Sequence, residues 1–126
     1  MTKYEALYSF FSSFGMAAYE ENSVPVYSDA AQSTEIRPPY ITYQAAETDF
    51  WGGSIAITAD IWDNSDSLET CENTAKAISA AVLPFKKLVC EDGYILVTKG
   101  SPFSQPVPDD YFKRLSLNFW LTFVTN

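Results

Sequence analysis

From Leu115 to Phe123 every second residue is apolar: Leu115, Leu117, Phe119, Leu121 and Phe123 alternate with Ser116, Asn118, Trp120 and Thr122. A period of two sends successive side chains to opposite faces of an extended chain, so this run predicts a strand with one buried side. It commits the chain to a sheet, and to something that covers the sheet's apolar face.

The same alternation recurs twice upstream. Tyr40 to Ala46 places Ile41, Tyr43 and Ala45 on one side and Tyr40, Thr42 and Gln44 on the other, and Ser54 to Trp62 aligns Ile55, Ile57, Ala59 and Ile61. The turn signal between them, Glu47 to Gly53, predicts an antiparallel hairpin. Tyr94 to Thr98 is a further strand. Gly100 to Asp110 reads as a Pro-rich loop, because Pro102, Pro106 and Pro108 each lack the N–H that a ladder uses.

Two segments have helical period. Tyr4, Leu7, Tyr8, Phe11 and Phe14 recur at helix spacing behind a Thr2-x-x-Glu5 capping box, with Gly15 as the stop. Leu68, Cys71, Ala75, Ile78 and Val82 form a second stripe, with Asp66 and Glu69 as the cap signal and Pro84 beyond the end. Its alanines let it lie close to a sheet, and Glu69 and Glu72 suit its first turn. Met16 to Pro39 reads as an irregular, exposed connection, with short extended candidates at Met16 to Tyr19 and Val24 to Tyr27 and a loop from Ser28 to Arg37. The order helix, strand, strand, helix, strand, strand predicts an α+β fold: a mainly antiparallel four-stranded sheet with two helices packed on one face and long loops. The 126 residues fit a single domain, 1–126, and show no internal repeat.

Composition narrows the chemistry. The chain has no histidine, which removes the commonest general base and the commonest zinc ligand together. Cys71 and Cys90 match neither a zinc pattern nor C-x-x-C, and read as buried, reduced thiols. No phosphate-cradling glycine loop is present. A net charge of -8, with basic residues no denser than Lys86-Lys87 and Lys113-Arg114, argues against tight nucleic-acid binding, which needs several phosphates neutralised at once. No apolar run approaches the ~20 residues of a membrane helix, and Lys3 is the only basic residue before Arg37, so a soluble, unexported protein is the expectation, with no membrane partner. Asp60, Asp63 and Asp66 are the one dense acidic group; as a hard-cation site they lack EF-hand spacing, and a polar strand end leading into a capped helix accounts for them. Ser101 and Ser104 have no base beside them and read as turn residues. No catalytic residue, metal site or cofactor is assigned.

The chain is 16% aromatic, and rings placed on loops or on the polar face of a strand are the residues that dominate interfaces. Phe50, Trp51, Phe103 and Trp120 are therefore the candidate contact residues, with core packing as the alternative, for Trp120 under a neighbouring helix.

Several passages together resemble the tail terminator, or tail completion, proteins of long-tailed bacteriophages and prophages. They are Ala-Tyr-Glu-Glu-Asn-Ser-Val-Pro at 18–25, Pro-Pro-Tyr-Ile-Thr-Tyr at 38–43, Asp-Ile-Trp-Asp-Asn-Ser at 60–65, Lys-Gly-Ser-Pro-Phe-Ser-Gln at 99–105 and Lys-Arg-Leu-Ser-Leu-Asn at 113–118. The resemblance implies a non-enzymatic virion protein that self-associates into a ring, typically a hexamer, on the end of the tail tube. There it stops polymerisation of the tube protein and meets the head-completion protein; it resides in the virion tail, and in the host cytoplasm during assembly. DNA passes such a ring without binding tightly, and Asp60, Asp63, Asp66, Asp109 and Asp110 are the candidates to line or flank the lumen, against the plainer reading in which they cap a helix, close a turn and keep the surface soluble. The alternatives are another head-tail connector or stopper, and a metal- or small-ligand-binding protein built on Asp60, Asp63 and Asp66.

Overall fold

The computed structural model describes residues 1–21, 38–44 and 53–125. Its elements, in chain order, are α1 (Lys3–Phe11), β1 (Ala17–Glu20), β2 (Tyr40–Tyr43), β3 (Ser54–Asp63), α2 (Glu69–Ala81), β4 (Lys86–Cys90), β5 (Gly93–Val107) and β6 (Lys113–Thr125). All the strands join one curled, half-barrel sheet in the order β1-β2-β3-β6-β5-β4.

This overturns the expected four-stranded antiparallel sheet: the sheet has six strands and is mixed, because β1 runs parallel to β2. β1 lies inside what the sequence reads as an irregular connection, where the Met16 to Tyr19 candidate falls one residue from the observed strand. β4 was not expected at all. Only Leu88 and Cys90 of Lys86–Cys90 are buried, so the strand shows too few apolar positions to declare a period. β5 is far longer than Tyr94 to Thr98, and takes in most of the segment read as a Pro-rich loop. It pairs with β4 only as far as Val97, and beyond that point with β6 alone. Pro102 and Pro106 therefore sit where one side of the strand needs no ladder hydrogen bond.

The strong alternations behave as their periods dictate. Ile57, Ala59 and Ile61 of β3 and Leu115, Leu117, Phe119, Leu121 and Phe123 of β6 are buried on one face, joined by Ile41, Tyr43, Ile95 and Val97. Both helices pack on this face. From α1, the Phe11 ring stacks on Tyr43 at 4.6 Å and meets Phe119 edge-on at 5.7 Å. From α2, the Cys71 thiol points at the Ile61 carbonyl, 3.5 Å away.

Helix ends show where local signals hold. The Thr2 hydroxyl accepts from Glu5 N–H at 3.1 Å while Glu5 Oε1 accepts from Thr2 N–H at 2.7 Å, a complete capping box. The other end departs from the expected stop at Gly15: α1 finishes at Phe11 with Ser12 as its C-cap, and Gly15, with a φ of 84°, takes its left-handed conformation three residues further on, before β1. α2 instead starts at Leu68 with no side-chain cap of its own; Ser67 Oγ, not Asp66, receives the Glu69 N–H at 3.3 Å.

Candidate interaction surface

The sheet face opposite the helices carries the even-numbered residues of β3 and β6, and among the described residues no helix covers it. Trp120 stands here, flanked across the strands by Ala56 and Thr98. Both neighbours are too small to shield an indole, which leaves Trp120 47% exposed. The sequence leaves Trp120 between an exposed strand-face ring and one packed under a helix, and the structure exposes it.

Toward the other end of the same face, Trp62 organises a cluster. Its Nε1–H donates to Thr42 Oγ1 at 2.9 Å, Tyr40 stacks on it with ring centroids 6.2 Å apart, and Phe112 meets it edge-on at 6.2 Å. The Arg114 guanidinium lies 4.7 Å from the Trp62 ring centroid, a cation–π contact, and Nη2 donates to Asp60 Oδ2 at 3.0 Å. The remaining Arg114 Nε and Asp60 Oδ1 are buried without a hydrogen-bond partner. They are the two atoms that a side-on guanidinium–carboxylate fork would join.

Asp60, Asp63 and Asp66 do not converge. Asp60 is held by Arg114 on the open face; Asp63, an odd number of residues away on the strand, is buried on the other face, where Ser65 Oγ donates to it at 2.6 Å. Asp66 is exposed in the loop before α2. No group of three or more potential metal-ligating side chains stands among the described residues. Cys71 and Cys90 are both buried free thiols. Burial, with a smaller push from Asp63, raises the Cys71 thiol to about 11, which keeps it in the thiol form near neutral pH.

Phe103 is not a free loop ring. It lies on β5, packs edge-on against Phe119 at 5.5 Å, and is partly buried against the core. The chain reaches it through an irregular stretch: Lys99 pairs with Phe119 and Ser104 already with Leu117, so residues 100–103 bulge out of the ladder. Asn118 Nδ2 fastens the bulge through Pro102 O at 2.9 Å. Between this part of β5 and α2 runs a cleft of about 470 Å³, with Ala75, Phe103 and Leu115 lining it together with Glu72 and Lys76. Phe50 and Trp51 lie outside the described residues.

The end of the β5–β6 hairpin holds a feature the sequence reading passed over. Asp109 Oδ2 accepts from the N–H groups of Tyr111, at 3.1 Å, and Phe112, at 2.9 Å. Phe112 in turn is anchored on Trp62. The turn is thus fastened on both sides of Tyr111, whose own side chain is 86% exposed. An Asp two residues before an aromatic is a readable local turn signal, and the turn-closing role is the plainer of the two readings open to Asp109 in the sequence; what the sequence does not show is that the turn presents Tyr111. Asp110 beside it is exposed. Comparison with family models, with curated proteins and with solved structures returned no match to this chain.

Proposed function

We propose that the protein is a tail terminator: a structural subunit that closes into a ring, hexameric in the family it resembles, on the end of a phage tail tube, halts tube growth and receives the head-completion protein. The observation that carries this reading is the display of large aromatic side chains outside the core, Trp120 on the uncovered sheet face and Tyr111 on a fastened turn. Exposed rings held in place by a rigid scaffold lose little conformational entropy on contact and serve as anchors in protein interfaces. The sequence passages at 38–43, 60–65 and 99–105, among those that carry the resemblance, fall on β2 and the residues before it, on β3 and its exit, and on the β5 bulge.

The decisive experiment adds the purified protein to tail tubes polymerising in vitro. Tubes of restricted length with decorated ends, seen in micrographs, are the expected result. Undecorated tubes that grow as they do without the protein would overturn the proposal. Trp120→Ala should weaken end-capping while leaving the circular-dichroism spectrum unchanged, since the indole has no covering residue to lose.

A further inference from the structure

We infer that the subunits join by a knob-and-cleft contact, in which Tyr111 of one copy seats between α2 and β5 of the next. The inference rests on the ring reading, and adds to it the two surfaces that meet.

The knob is built rather than incidental. The Asp109 carboxylate holds the backbone at Tyr111 and Phe112, and the Phe112 ring is pinned to Trp62, so the phenol is carried outward on a turn whose backbone is already fastened. The cleft has the matching character. Its floor is apolar at Ala75, Phe103 and Leu115, and at about 470 Å³ it exceeds one aromatic side chain and falls in the range of roughly 300–1,000 Å³ seen for ligand sites.

Charge supports the same match. Asp110, next to Tyr111 in sequence, is exposed, and Lys76 at the cleft has no ion-pair partner among the described residues. Glu72, one helical turn before Lys76, supplies a carboxylate that can accept the phenol O–H at the mouth. A contact that uses one surface on the first copy and a different one on the second is heterologous, and such contacts close into rings when the rotation permits.

Mass photometry across a protein concentration series tests this on the full chain. Wild type should assemble beyond the monomer, Tyr111→Ala should shift the assembly midpoint by about tenfold or more, and Tyr111→Phe should retain most of the assembly. Lys76→Glu should weaken assembly as well, and adding Asp110→Lys to it should restore a substantial part. A mixture of Tyr111→Ala, which keeps its cleft, with Lys76→Glu, which keeps its knob, should give one-to-one pairs that neither variant forms alone. Wild type that stays monomeric at every concentration, or Tyr111→Ala that assembles with the wild-type midpoint, overturns the inference. Tyr111→Ala that caps tail tubes as well as wild type overturns it while the terminator reading stands. Assembly through Tyr111 by a protein that never caps a tube overturns the terminator reading alone.

Discussion

Residue by residue, the most consequential side chains are those whose partners lie far along the chain. Asp60 and Arg114 meet across β3 and β6, and their side chains are only 13% and 31% exposed. Truncating one partner strands the other, so Asp60→Ala should cost about 2 kcal/mol, short of the ~3–5 kcal/mol for fully buried pairs because the guanidinium keeps some water. Adding Arg114→Leu to Asp60→Ala should cost less than the two single changes summed, a coupling that a double-mutant cycle in denaturant measures. A second expectation concerns alkali. Burial, followed by the nearby Glu20, pushes the Tyr43 phenol up to about 12 from 10.0, as Cys71 goes to about 11 from 9.0. The unfolded chain releases both protons at the lower values. The stability these groups contribute is therefore whole below about pH 9 and is lost as pH rises through the folded values. Denaturation midpoints should fall across that window, and Tyr43→Phe should flatten the part between about 10 and 12. The burial of Cys71 and the face taken by Tyr43 were legible beforehand; the partner of Asp60 was not. The sequence shows that Asp60, Asp63 and Asp66 are near neighbours, but only the strand phase decides that one faces an arginine and another the core.

Among the elements, legibility followed the strength of the local period. α1, with its capping box, and the alternating β3 and β6 were readable because each carries its own signal over several turns or residues. β4 was not, since Lys86 and Lys87 mask a strand that owes its place to the two-residue turn into Gly93 and to pairing with β5. Gly93 is itself a demand of packing: a Cβ there would strike the Val124 carbonyl oxygen on β6. Gly93→Ala should accordingly cost about 3 kcal/mol or more, since backbone and not a pliable side chain must move; thermal unfolding measures it. The distal part of β5 was hidden by its prolines, which argue for a loop until it is known that β4 ends before reaching them. Phe103 changes meaning with that correction. As a ring packed on Phe119 it supports the fold, and Phe103→Ala should lower stability by about 2–3 kcal/mol and so cannot serve as a clean test of contact. Tyr111 takes over that use, because its removal leaves no cavity.

For the molecule as a whole, the sequence announces a sheet covered by helices but not its extent. The short β1 and β4 at its two margins take their places from neighbours rather than from their own composition. Surface function was half legible: Trp120 could be placed by alternation, whereas Tyr111 needed the Asp109 turn to be seen as structure. Net charge acts at this scale too. In the proposed ring a chain of charge -8 would repel DNA, and its acids divide by role: Asp60 is neutralised by Arg114, Asp63 is buried, and Asp109 holds a turn, while Asp66 and Asp110 remain exposed. With Asp110 assigned to the contact between copies, Asp66 is the acid through which a lumen role can be tested. Wild-type rings should retain no DNA at low salt, because the net charge of -8 on each subunit opposes the polyanion. Rings of Asp66→Lys should gain an affinity that falls steeply with added salt if position 66 borders the channel, since each subunit contributes a cation to the same short stretch of duplex. Intact rings of this variant that still ignore DNA would remove Asp66 from the lumen and leave it the simpler task of keeping the surface soluble.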